Sequence, residues 1–215
     1  MHILRPQFAL NDRDALRLAA DRGFGVILAA DERGPLGSHV PFNLLTREDG
    51  GTILQAHLTM KNPLLKLADG KRRFLVIVQG ADSYVSNDWY VSRDQVSTWL
   101  YEAVHLSGIG HLREIDANRP HGDALLADAE SRLLKDPWKL ASMDPVKREA
   151  MLNAIRTVDV VIDTIEGQSK LNQHKADEDH VAVADHLAAS GTEAGRTLAL
   201  KMRQLRPHLR YEFGE

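Results

Sequence analysis

The sequence predicts an α+β fold, a small antiparallel β-barrel with helices inserted into it and appended at its C-terminus. Three observations predict it. Short segments alternate apolar and polar residues between turn-forming stretches such as ERGP and REDGG. Helical spacing recurs between and after these segments. No glycine-rich phosphate loop follows any strand, which leaves Rossmann and P-loop folds without support.

Taken in order, Asn11 is suited to cap a helix running to about residue 22, with Leu16, Ala19 and Ala20 on its apolar side and Gly23 as its stop. Residues 24 to 30, 36 to 45 and 52 to 58 then read as three strands, the start of a meander. NPLLKLADG, residues 62 to 70, makes a short helix with Pro63 where no amide donor is needed and Gly70 as its end. RRFLVIVQG is a buried central strand, and Ser97 to Glu114 a long one. There Trp99, Tyr101, Ala103 and His105 alternate with Leu100, Val104 and Leu106, and Gly108 and Gly110 suggest a bulge or bend. Residues 119 to 135 and 144 to 155 carry helical spacing. RTVDVVIDTIEG returns to the sheet, with Val158, Val160 and Ile162 on one face. Beyond Lys170 the chain is helical and polar, with Gly191 and Gly195 weakening the join between two pieces.

A chain of 215 residues, 43% hydrophobic and 27% charged, can bury a sizeable core. The absence of cysteine excludes disulfides, thiolate metal sites and a cysteine nucleophile, and fits a reducing compartment. The N-terminal MHILRPQFALNDRD has no stretch of signal-peptide length, and FLVIV at 74 to 78 is too short to span a bilayer, so a soluble, cytoplasmic protein with no membrane partner is expected. With 27 basic against 30 acidic residues there is no overall positive field for DNA. The local candidate is Lys201, Arg203, Arg206, His208 and Arg210, which also complement the end of a terminal helix. Its apolar positions Val181, Ala184, Leu187, Leu198, Met202 and Leu205 need burial, so that segment is expected to pack and not to form a free DNA-reading arm. No acid-base pair, activated nucleophile or HExxH spacing occurs, so no catalytic residue is named.

Five blocks carry a further signal. They are Ser38-His39-Val40-Pro41; Ala56-His57 with Asn62-Pro63; VQGADSYVSNDWY at 78 to 90; VSTWLYEAVH at 96 to 105; and KLNQH at 170 to 174. In order and spacing the chain resembles the PaiB-type FMN-binding negative transcriptional regulators, a bacterial family. It departs from the family pattern at Leu65, Ala81, Ser97 and Leu100. The resemblance implies an FMN-binding split barrel of Greek-key-like topology over residues 1–168, with a helical extension at 169–215 packed on the barrel or the dimer partner. It also implies a homodimer with FMN in a groove between subunits. The cofactor residues it points to are Ser38, His39, Val40, His57, Thr59, Lys61, Asn62, Trp89, Thr98 and Trp99. A flavin needs flat aromatic walls, which Trp89, Tyr90, Trp99 and Tyr101 could supply, and convergent donors for its phosphate. The phosphate is expected near His57, Lys61 and Asn62, where a strand end meets a helix start. Plainer readings stand beside these: strand aromatics usually pack in cores, strand histidines usually bond to backbone, and Asn62 before Pro63 is a helix cap. DNA is an expected partner of a regulator. Two alternatives remain open: a flavin-dependent oxidoreductase acting on a small molecule, or a cofactor-free or haem-binding dimer with His57 or His105 as axial ligand.

Overall fold

The computed structural model describes residues 1–212, and in them seven strands and five α-helices follow one another. These are β1 (Ala9–Leu10), α1 (Asp12–Arg22), β2 (Phe24–Asp31), β3 (Gly34–Thr46), β4 (Thr52–Thr59), β5 (Asp69–Val85) and β6 (Thr98–Leu112), then α2 (Asn118–Ser131), α3 (Pro145–Asn153), β7 (Ile155–Lys170), α4 (Asp177–Ala189) and α5 (Glu193–Leu205). Local chemistry sets several boundaries. Asn11 Oδ1 accepts from Asp14 N at 2.9 Å and opens α1, while Gly23, at φ +57°, closes it in the left-handed conformation that glycine adopts without strain. On α1 the buried residues are Ala15 and Ala19; Ala20, expected on the apolar side, is exposed, because the buried stripe is only one residue wide here.

The sheet order is β1-β7-β4-β3-β2-β5-β6, and β7 also pairs with β6, so the hydrogen bonds form a closed ring. β2, β3 and β4 are successive antiparallel neighbours. The chain then crosses over residues 60 to 68 to lay β5 beside β2, with Val26 opposite Ile77. That order, β5-β2-β3-β4, is a Greek key. β7 closes the ring along β4, from Thr52 opposite Ile162 to Thr59 opposite Ile155.

The chain divides into two compact units. One comprises Leu16–Val78 and His105–Ile165. Its core is the inward set of the strands: Ile27, Val40, Phe42, Leu54, Ala56, Phe74, Val76, Leu106, Val158 and Val160. The other comprises Met1–Ala15, Gln79–Val104 and the described residues from Glu166 to 212. There Val85, Leu100 and Leu171 form one cluster with Val183, Ala184, Leu187, Leu198, Ala199 and Met202 of α4 and α5. Of the terminal apolar positions, Leu205 stays exposed and Val181 half-buried.

β6 runs unbroken through Gly108 and Gly110. The reason for both glycines is close approach: a Cβ on Gly108 would overlap the carbonyl oxygen of Val161, and one on Gly110 the ring of Phe74.

Candidate functional site

Strand alternation sorts the candidate residues before any chemistry is considered. In β3, Val40 and Phe42 point into the core, and Ser38 shares their parity; His39 points the other way. In β4, Leu54, Ala56 and Leu58 point inward, and Gln55, His57 and Thr59 share the opposite face. The structure therefore divides the proposed phosphate donors. Ser38 stands on one face; His39, His57 and Thr59 stand on the other.

Asn62 joins the first group. Its Nδ2 donates to Ser38 Oγ at 2.7 Å, while its Oδ1 accepts from Leu64 N at 3.0 Å and so caps the 3-10 turn Pro63–Leu67. Because Ser38 Oγ accepts that bond, its own proton is free to be donated elsewhere. Lys61, beside Asn62, is exposed and enters no ion pair among the described residues. Pro63 carries no amide proton and Leu64 N is already taken, so the turn offers fewer free amides than a helix start would. The donors here are side chains. Val40 is buried in the core.

The opposite face is covered by α2 and holds a chain of polar side chains that the sequence did not reveal. His57 Nδ1 lies 3.0 Å from His121 Nε2, His121 Nδ1 lies 3.2 Å from Gln55 Oε1, and Gln55 Nε2 donates to Asp159 Oδ1 at 2.8 Å. Arg113 pairs with Asp159 at 3.3 Å. The carboxylate can only accept, which orients the Gln55 amide. His121 must then donate from Nδ1 and accept at Nε2, and His57 must donate from Nδ1. Neutral His57 is left with a lone pair at Nε2, an acceptor and not a donor to phosphate. Burial holds the His57 pKa below its ordinary value, and burial together with the nearby His57 pushes that of His121 down to about 4. Asn118, at the start of α2, anchors the helix by donating to Leu152 O and Ile155 O and accepting from Thr157 N and Oγ1. His39 stacks on Phe24, ring centroids 6.2 Å apart.

The remaining candidates belong to the other unit. Trp99 is 54% exposed and meets Tyr84 edge to face at 6.1 Å. Trp89 packs against the α4–α5 cluster and stacks on His186 at 5.3 Å and 16°. Thr98 Oγ1 accepts from Lys170 Nζ at 2.6 Å. Glu102, unmarked by alternation, is buried beneath Gly80 and is held by Ser169 and Lys201.

Residues 1–164 match the family model described as "Putative FMN-binding domain". The chain belongs to the PaiB-type FMN-binding family. It is 25% identical over 177 residues to "Protease synthase and sporulation protein PAI 2" of Bacillus subtilis (strain 168), which covers 82% of this chain and 84% of that one. Among solved structures, the FAD and heme binding protein from Mycobacterium smegmatis is similar at TM-score 0.58 and 19% identity, over 86% of this chain and 80% of that one. The flavocytochrome Anf3 from Azotobacter vinelandii is similar at TM-score 0.55 and 16% identity, over 84% and 78%. These neighbours place the fold among the split barrels. FMN is the cofactor to which the family points, and the donor types fit its phosphate: a hydroxyl with a free proton bonded to an amide, and next in sequence to that amide a lysine with no ion-pair partner among the described residues.

Proposed function

We propose that this chain is a PaiB-like flavoprotein regulator that binds FMN as a homodimer, holding the phosphate at the corner formed by Ser38, Lys61 and Asn62. The observation that carries the placement is the double role of Asn62, whose side chain ties the 3-10 turn to Ser38 and so fixes a hydroxyl against the residue next to exposed Lys61. Lys61 supplies charge and Ser38 direction. His57 and Thr59, on the other face, would leave the phosphate alone. In the other unit, half-exposed Trp99 and Tyr84 with exposed Val96 form an apolar surface of the kind a second subunit covers, which supports the homodimer. The same reading gives DNA no contact through the terminal helix, since Lys201, Arg203 and Arg206 are held by Glu102, Asp185 and Asp177.

The test is a titration with FMN and with riboflavin, which lacks the phosphate. Lys61→Ala removes a charge-assisted contact of about 1.5–3 kcal/mol, so FMN affinity is expected to fall roughly ten- to a hundredfold while riboflavin binding stays unchanged. Equal weakening of both ligands, or of neither, would place the phosphate elsewhere. The absorbance spectrum of the purified protein separates flavin from haem, the second cofactor suggested by neighbours that bind both.

A further inference from the structure

The KLNQH block has no part in the phosphate corner, yet it gathers positive charge. We propose that Lys170 and Lys175, with Thr98, Gln95 and His174 around them, form a second binding site, for the phosphate or carboxylate group of a small molecule. After β7 the chain turns sharply at Asn172, which is fully buried at φ +61°, and Lys175 N donates to Asn172 O at 3.0 Å to close the turn. A non-glycine residue rarely adopts that conformation and persists in it where surroundings impose it. The turn lies between the two lysines, which fall within one short segment, residues 170 to 175. Lys170 Nζ donates to Thr98 Oγ1 at 2.6 Å, Lys175 Nζ donates to Gln95 Oε1, and Lys175 also lies 4.9 Å from the Tyr90 ring centre.

Neither lysine has a carboxylate partner among the described residues, although both are partly buried. Three acids of the same unit are engaged elsewhere: Glu166 holds the N-terminal amine, Asp177 pairs with Arg206, and Asp179 accepts from Ser92 N. The charges that act most on His174, those of Arg5, Lys175 and Lys170, are all positive, and its buried Nδ1 has no hydrogen-bond partner among the described residues. Burial and then Lys175 hold the Lys170 pKa below its ordinary value. Like charges brought together without a counter-ion destabilise the fold that holds them, and an anion would reverse the sign of that interaction. Two ammonium groups and an unpartnered ring nitrogen, beside a threonine hydroxyl, form a donor set matched to phosphate or carboxylate oxygens.

The full-length protein is titrated with inorganic phosphate and with acetate, using chloride at equal ionic strength as control, and binding is followed by calorimetry. Wild type is expected to bind phosphate, and Lys170→Gln or Lys175→Gln to weaken it by roughly tenfold or more. Lys170→Arg is expected to retain binding. FMN and riboflavin titrations of the same variants identify the source of the anion. If Lys170→Gln weakens FMN and spares riboflavin, the site stands and the anion is the flavin's own phosphate, which would overturn its placement at Lys61. If it spares both flavins, the site serves a separate small molecule. Should Lys170→Gln fail to fold, Lys175→Gln decides. Folded variants that bind phosphate, acetate and FMN as wild type does would overturn the proposal.

Discussion

Protonating His121 would place a charge in a closed space and also remove the lone pair that accepts from His57. The consequence is a pH dependence of stability with a definite sign. The pKa of His121 in the folded chain is about 4, below its ordinary 6.5, so as pH falls the unfolded chain binds the proton first. The stabilisation is fully present above about 6.5 and is lost progressively down to about 4. At 1.36 kcal/mol per unit, lowering the pH from 7 to 5 is expected to cost about 2 kcal/mol. Urea unfolding at both pH values measures it, and His121→Gln should shrink the difference; an unchanged difference would show that the loss arises elsewhere. Sequence marked His57 but gave no sign of His121. The helix that carries His121 could be read from its spacing, but the side chain's partners lie 64 and 66 residues away, on β4. Asn62 was different: a cap acts within its own turn, so its local role was legible, and only its reach to Ser38 was not.

Among elements, periodicity located the strands because one face of each is buried. Thr157 and Asp159 break that rule, being buried on the face of β7 that α2 covers, and no pattern of period two announces a helix laid over a polar face. The ten candidate residues were likewise read as one constellation, and the pleat alone separates Ser38 from its neighbour His39. Gly108 is the sharpest case of an element-level constraint. Its backbone lies against β7 so closely that a single methyl group would strike Val161 O. Gly108→Ala should therefore force β6 and β7 apart and cost about 3 kcal/mol, at the upper end of overpacking effects, because the obstacle is backbone. Chemical denaturation of the variant checks this; a loss below about 0.5 kcal/mol, typical of surface changes, would mean the strands have room to separate.

For the molecule as a whole, the strand sequence was legible, but the Greek-key order was not, since periodicity says which residues are buried and not which strand lies beside which. The family resemblance supplied that order. The homodimer proposed above predicts about twice the 24.0 kDa chain mass by light scattering at micromolar concentration. A monomer there would remove the second subunit from the flavin site. One more consequence follows from the closed ring. β4 gains its outer neighbour only from β7, about a hundred residues later in the chain, and β6 likewise waits for β7. During synthesis both strands must leave the ribosome with open edges, and every residue from 60 to 154 is made before the ring can shut. The finished fold is closed at this seam, but the nascent chain is not, and it is there that a chaperone or a like chain could reach it.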